Sequence, residues 1–201
     1  MAPSLRAAFS LGGNSIKAGT RQTVDLPVRI LSNHVPVSLP VQAVHGRKDG
    51  PVMFISAAIH GDEVLGVEII RRVLKHKSVR SMAGTLLAVP IVNAYGFINH
   101  SRYLPDRRDL NRSFPGSDQG SLASLLADIF MNEIVKQSDI GIDLHTAALH
   151  RTNLPQIRIS PGNAGLRELA NAFAPPVIMI SSLREGSLRK TAMDHEVDML
   201  L

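Results

Sequence analysis

The run VMFISAAI, residues 52–59, is apolar without interruption and lies between a turn-forming GRKDGP and a histidine. A half-buried strand alternates polar and apolar residues. A run of this length without alternation reads as a strand buried on both faces, the habit of parallel sheets covered by helices on either side. The next segment agrees. From about Asp62, a residue suited to an N-cap, to Lys77, the positions Val67, Ile70, Val73 and Leu74 form an apolar stripe. Arginine and lysine in its last turns suit the C-terminal end of a helix dipole. GTLLAVPIVN, residues 84–93, then reads as a second strand. Strand, helix and strand in that order predict a parallel pairing with a right-handed crossover. The expected fold class is α/β, with a mixed, largely parallel central sheet flanked by helices.

The remaining segments fill in that plan. Residues 1–20 carry glycine and serine without periodicity and are expected to be a loose lead-in to a domain over residues 21–201. Between Thr23 and Val44, β-like runs are broken by Pro27, Pro36 and Pro40, as in edge strands. Residues 94–120 show no period, and a stretch that long inside a compact domain is functional or disordered. Its arginine, asparagine and aspartate content, held by Pro105 and Pro115, favours a functional loop. A helix is expected from about Ser121 to Lys136 and a strand over DIGIDLH, residues 139–145. A strand near Gln156–Ser160, a helix near Ala164–Phe173, a strand at Val177–Ile180 and a short helix at about Gly186–Asp194 lead to the apolar VDMLL, 197–201.

Composition narrows the chemistry. The chain has no cysteine, so any bound metal must be held by histidine, aspartate or glutamate. The formal net charge is +5, but Arg71, Arg72, Lys75, Lys77 and Arg80 follow one helix, while Arg102, Arg107, Arg108 and Arg112 share one loop. With aromatic residues at 4% there is no stacking platform, so nucleic acid is not the expected partner. A small anionic substrate suits the loop arginines better. The run at Val52–Ile59 is far too short to span a bilayer, and no membrane association is expected. The opening MAPSLRAAFSLGG has a single arginine and no sustained apolar stretch, so no secretory leader is expected and cytoplasmic residence is the default.

Three residues carry the strongest chemical signal. His60 and Glu63 follow the first buried strand as H-x-x-E, and His145 ends the strand DIGIDLH. Strand ends are where an α/β sheet gathers distant residues into one crevice. Two neutral imidazoles and one carboxylate suit zinc, one ion per chain, with a fourth position left for water. Each element also has a plainer reading. His60 with Glu63 fits a partly buried histidine beside a glutamate favoured by a helix dipole, and His145 fits a hydrogen-bonded strand-end histidine. Asp143 lies two residues before His145 on the same strand face. It suits the outer nitrogen of a metal-bound imidazole, or a structural buried aspartate. In SRYLPDRRDLNRSFPG, residues 101–116, Arg102, Arg108 and Arg112 with Asn111 offer donors that match a carboxylate, or form a solvated basic loop.

HGDE, RYLPDRRDLNRSFPG and DLHT, in this order and spacing, resemble the succinylglutamate desuccinylase/aspartoacylase family over most of residues 20–201. The resemblance implies a zinc carboxypeptidase-like fold without the family's C-terminal β-rich part. It implies His60, Glu63 and His145 as zinc ligands, and Arg102 as the group that polarises the scissile carbonyl. Asn111 and Arg112 would grip the substrate carboxylate with a contribution from Arg108, and Asp109 would orient the first zinc histidine. The activity implied is hydrolysis of the amide bond of small anionic N-acyl amino acids. The family's general-base glutamate lies in an E-A-G-like motif after a late strand. Neither Glu185 nor Glu196 sits in that context, so weak turnover by this chain is expected. Two alternatives remain at this stage: a metallocarboxypeptidase on the same fold, and a non-catalytic remnant that folds and binds metal. Neither the acyl group nor the oligomeric state is legible, and a homo-oligomer is compatible with the sequence.

Overall fold

A computed structural model describes residues 6–30, 34–147 and 151–201. A small hairpin of β1 (Phe9–Leu11) and β2 (Asn14–Ile16) opens the chain, followed by β3 (Thr20–Ile30), β4 (Pro36–His45) and β5 (Lys48–Ala57). Helix α1 (Leu65–Lys75) leads to β6 (Ala83–Val89), a short α2 (Ala94–Ile98), α3 (Leu122–Glu133) and β7 (Ile140–Leu144). The last elements are β8 (Gln156–Ile159), α4 (Ala164–Ala172), β9 (Val177–Ile180), α5 (Leu188–Asp194) and β10 (Asp198–Leu200).

The central sheet has six strands in the order β10-β7-β5-β6-β4-β3. β10, β7, β5 and β6 run parallel, and β4 and β3 complete it antiparallel. β8 and β9 pair in parallel beside it, and Arg158 and Leu201 exchange both backbone hydrogen bonds to join the two sheets. The expected mixed, largely parallel sheet flanked by helices is therefore the observed one. Its two faces are separate apolar layers, because successive strand residues point to opposite sides. Phe54 packs with Phe130 of α3 and with Leu188 and Ala192 of α5. Its neighbour Ile55 packs on the opposite face with Ile70 and Leu74 of α1 and Leu166 and Ala170 of α4. Phe54 and Phe130 meet edge to face with ring centroids 5.6 Å apart.

Connectivity places the site. From β5 the chain crosses by α1 to β6 on one side, and later returns through α3 to β7 on the other side. The strand order therefore switches direction at the β5–β7 boundary, where open α/β sheets form their crevice beyond the carboxyl ends of the strands. Ala57 pairs with Leu144 there, so the segments leaving both strands emerge side by side.

Four local differences from the sequence reading have physical causes. Residues 9–16 are a hairpin rather than a loose lead-in, with Leu11 and Ile16 fully buried. Strands of three residues are too short to show alternation. Helix α1 begins at Leu65, because Glu63 N–H bonds His60 carbonyl in a tight turn that must finish first. Asp62 caps nothing, and its Oδ1 is buried without a partner. β6 stops at Val89, before Pro90, and Asn93 instead caps α2, accepting from Gly96 N–H at 2.8 Å. Finally, β4 lies inside the sheet, but it pairs with β6 only over Gln42–His45. Pro36 and Pro40 therefore occupy the part of the strand that is still an edge.

Gly66 of α1 lets the helix approach both site-bearing strands. A Cβ there would lie 2.7 Å from Ala57 Cβ and 2.9 Å from Leu144 Cβ. Gly66→Ala gains about 1 kcal/mol of helix propensity. Overpacking costs about 1–3 kcal/mol, so the balance is unfavourable. The expected outcome is a lower denaturant midpoint with unchanged m value; a stabilised variant would contradict the close-packing account.

Candidate metal centre

His60 follows β5 through a strained turn. Ala58 is buried with φ +51°, a left-handed conformation that costs a non-glycine residue about 1–3 kcal/mol. Hydrogen bonds from Val92 N–H to Ala57 carbonyl and from Asn93 N–H to Ala58 carbonyl hold it there. A Cβ on Gly61 would run into the backbone of Gly96, so the His60–Gly61 turn lies flat on α2. The tight turn then brings Glu63 beneath the His60 ring. Its Oε1 is 2.7 Å from His60 Nδ1, and its Oε2 is 2.9 Å from His145 Nδ1. Oε2 also accepts Thr146 N–H at 2.8 Å.

Each imidazole has a second carboxylate on its other nitrogen. His145 Nε2 is 2.6 Å from Asp143 Oδ2, and Asp143 Oδ1 accepts the Ser56 hydroxyl at 2.8 Å. His60 Nε2 is 3.2 Å from Asp109 Oδ1. Asp109 begins a 3-10 turn and accepts Asn111 N–H at 2.9 Å, while Arg102 donates to its Oδ2 through Nε at 3.1 Å and Nη2 at 2.9 Å. Arg102 Nη1 lies 3.3 Å from His60 Nδ1 and 3.7 Å from Glu63 Oε1, so one arm of the guanidinium faces the centre.

The electrostatics follow from these contacts. Burial works against charge on His145, yet Asp143 and Glu63 overcome it and raise its pKa to about 10. His60 is raised as well, with burial opposing and Asp109 and Glu63 prevailing. Burial disfavours the ionised Glu63, but its bonds to His145 and His60 hold the carboxyl well below the usual carboxylate range. Asp109 is depressed against the same penalty by His60 and then Arg102.

His60, Glu63 and His145 each offer a ligand atom, and these atoms lie within 4.8 Å of one another. All four ring nitrogens face carboxylate oxygens, and His60 Nδ1 also lies beside the Arg102 guanidinium. A divalent cation held through the two Nδ1 atoms would meet the Glu63 charge and leave both Nε2 hydrogen bonds in place. That donor set, all nitrogen and oxygen with carboxylate-braced imidazoles, fits such an ion.

The structure does not bring every expected residue into this group. Arg108 is exposed and faces Asp106 at 4.0 Å, outside the centre. Asn111 Oδ1 accepts Leu188 N–H at 2.9 Å, tying the start of α5 to this loop. Arg112 bonds its neighbour's carbonyl, from Asn111, and makes no ion pair with a carboxylate among the described residues. Desolvation lowers its pKa; Asp109 opposes that, while the nearby cations Arg184 and Arg102 add to it. Arg184 and Ser56 were not read from the sequence. Arg184 is far from the loop motif in the chain, and Ser56 sits within an apolar run.

A model of the succinylglutamate desuccinylase/aspartoacylase catalytic domain matches residues 49–198. The chain belongs to the succinylglutamate desuccinylase/aspartoacylase family. It is 30% identical over 167 residues to the N-α-acetyl-L-2,4-diaminobutyric acid deacetylase of Halomonas elongata, covering 80% of this chain and 48% of that protein. An aspartoacylase family protein from Mesorhizobium loti superposes with TM-score 0.80 at 25% identity, over 90% of this chain and 60% of that one. A succinylglutamate desuccinylase/aspartoacylase from Rhodobacter sphaeroides shares the fold at TM-score 0.80 and 24% identity, over 90% of this chain and 56% of that one. The chain thus spans about half the length of the curated relative it matches. Within the described residues no helix is long and apolar enough to cross a membrane.

Glu63→Gln separates this electrostatic account from simple packing. Breaking a buried pair costs about 3–5 kcal/mol, so metal-free Glu63→Gln is expected to be less stable than wild type by roughly that amount near pH 6. The depressed Glu63 pKa makes the difference shrink as pH falls below about 4.3, and the raised His145 pKa makes it shrink as pH rises from about 6.5 toward 10. Denaturant unfolding with chelator present measures it. A difference independent of pH would contradict the ion-pair description.

Proposed function

We propose that this chain is the catalytic domain of a zinc-dependent amidohydrolase that removes the acyl group from N-acyl amino acids. One observation carries the reading: two imidazoles share Glu63 through Nδ1, and each is braced by a carboxylate on Nε2. Membership of a family named for desuccinylase and aspartoacylase supports it, as does a relative named as a deacetylase of an N-acetylated amino acid. The zinc ligands in this reading are His60 Nδ1, His145 Nδ1 and Glu63. Zinc supplies Lewis acidity toward the amide carbonyl and an acidified water.

The chain's own residues supply orientation and charge. Asp109 and Asp143 fix the imidazole tautomers, so that Nδ1 is the nitrogen presented to the ion. Asp109 also holds the Arg102 fork, leaving Nη1 aimed at the centre, where it meets the carbonyl oxygen as negative charge develops. Arg112 binds the amino-acid carboxylate, and Asn111 positions the segment behind it through Leu188. Glu63, Asp109 and Asp143 each accept hydrogen bonds from several donors, so none of the three is free to shuttle a proton.

Two outcomes test the reading. Metal analysis is expected to give one zinc per chain in the wild type, lost in His145→Ala. Zinc at 100 times its Kd is expected to stabilise the fold by about 2.7 kcal/mol. Absence of zinc uptake would refute the assignment. The zinc-loaded chain is expected to hydrolyse N-acyl amino acids in preference to peptides. With none of Glu63, Asp109 and Asp143 free to take the proton, the rate is expected to lie about 10²–10⁴-fold below that of an enzyme with a positioned general base. Preferential peptide cleavage would favour a carboxypeptidase.

A further inference from the structure

Ser56 interrupts the apolar run of β5 at a position where the strand itself has no use for a polar group. It lies two residues beyond Phe54 on the same face of the sheet and is wholly buried. Parallel pairing sets it beside Asp143 of β7, and its hydroxyl donates to Asp143 Oδ1 at 2.8 Å. Asp143 is only 1% exposed, so both of its oxygens depend on donors from the protein. Oδ2 faces His145 Nε2 at 2.6 Å, and among the described residues the Ser56 hydroxyl is the other donor that this carboxylate meets. Asp109, the carboxylate behind His60, is held differently. Arg102 donates to its Oδ2 through Nε and Nη2, and Asn111 N–H donates to its Oδ1. One outer carboxylate therefore has several supports besides its imidazole, while the other leans on a single hydroxyl.

The torsion that turns an aspartate carboxylate is soft, so its oxygens point where donors hold them. Ser56 fixes Oδ1 and thereby aims Oδ2 at His145 Nε2. An imidazole held through Nε2–H presents the lone pair of Nδ1 to an ion. We propose that Ser56 is a positioning residue for the metal centre. Acting through Asp143, it keeps His145 in the tautomer and orientation that bind zinc. His60 lies outside this chain of contacts, because Asp109 braces it. The inference rests on the zinc reading above and extends the site one residue further into the sheet. A serine that only filled space at this position would give way to alanine with no effect on zinc.

Ser56→Ala removes the donor with little change of volume. Zinc affinity is measured by competition with a chromophoric chelator, and the imidazole N–H signals of the zinc-loaded protein are followed by NMR with nitrogen-labelled histidine. The zinc Kd is expected to rise about tenfold, the lower end of the range for partners that brace a metal ligand. The His145 Nε2–H signal is expected to move and to exchange faster with water, while that of His60 keeps its wild-type position. Ser56→Thr, which retains the hydroxyl, is expected to keep both the affinity and the His145 signal. In an Asp143→Ala background, adding Ser56→Ala is expected to change the Kd by less than about twofold, because the intermediary is gone. Unchanged zinc affinity in Ser56→Ala overturns this inference alone, as do equal shifts of both rings or a tenfold loss that persists without Asp143. A Ser56→Thr chain that unfolds at the wild-type temperature yet loses zinc as Ser56→Ala does also overturns it. A wild type that takes up no zinc overturns the metal reading and this inference together.

Discussion

One carboxylate organises the centre. Glu63 is almost wholly buried and bonds two imidazoles that arrive from different strands. A carboxylate in that position is tolerable only if positive charge meets it from both sides, because an unpaired buried charge is costly. The rest of the local architecture meets that condition. The strained Ala58 turn delivers His60, the β5–β7 pairing delivers His145, and Asp109 and Asp143 keep the rings oriented. Arg102 joins the same network through Asp109, which couples the arginine loop to the candidate metal centre.

The sheet topology makes this convergence inexpensive in conformational terms. Parallel strands side by side release their loops at the same edge, so residues distant in sequence meet without a long excursion. Gly66 adds close approach of α1, and the two apolar layers on either face hold β5 against bending. The site is therefore supported by packed elements rather than by loops alone, which suits the sub-ångström tolerance that a metal centre requires.

Much of this was legible in the sequence, for identifiable reasons. The unbroken run at 52–59 identified a doubly buried strand, and the α1 stripe identified the crossover helix. Asp143 and His145 share a strand face by simple alternation, so their pairing was readable. HGDE, the RYLPDRRDLNRSFPG loop and DLHT carried the family. Short elements were not legible: β1 and β2 have three residues each and α2 has five, below the length at which a period declares itself. The orientation of Arg108 was not legible because loop residues follow no face rule, and its side chain faces Asp106. The role of Asn111 toward Leu188 depends on a tertiary contact that no local pattern encodes.

The central claim concerns which nitrogen of each ring meets the ion. Substituting a spin-active cadmium isotope in protein with nitrogen-labelled histidine allows metal–nitrogen couplings to be read by NMR. Couplings to Nδ1 of both His60 and His145, with Nε2 of each protonated, are the expected result. Coupling through Nε2, or to only one of the two rings, would contradict the account.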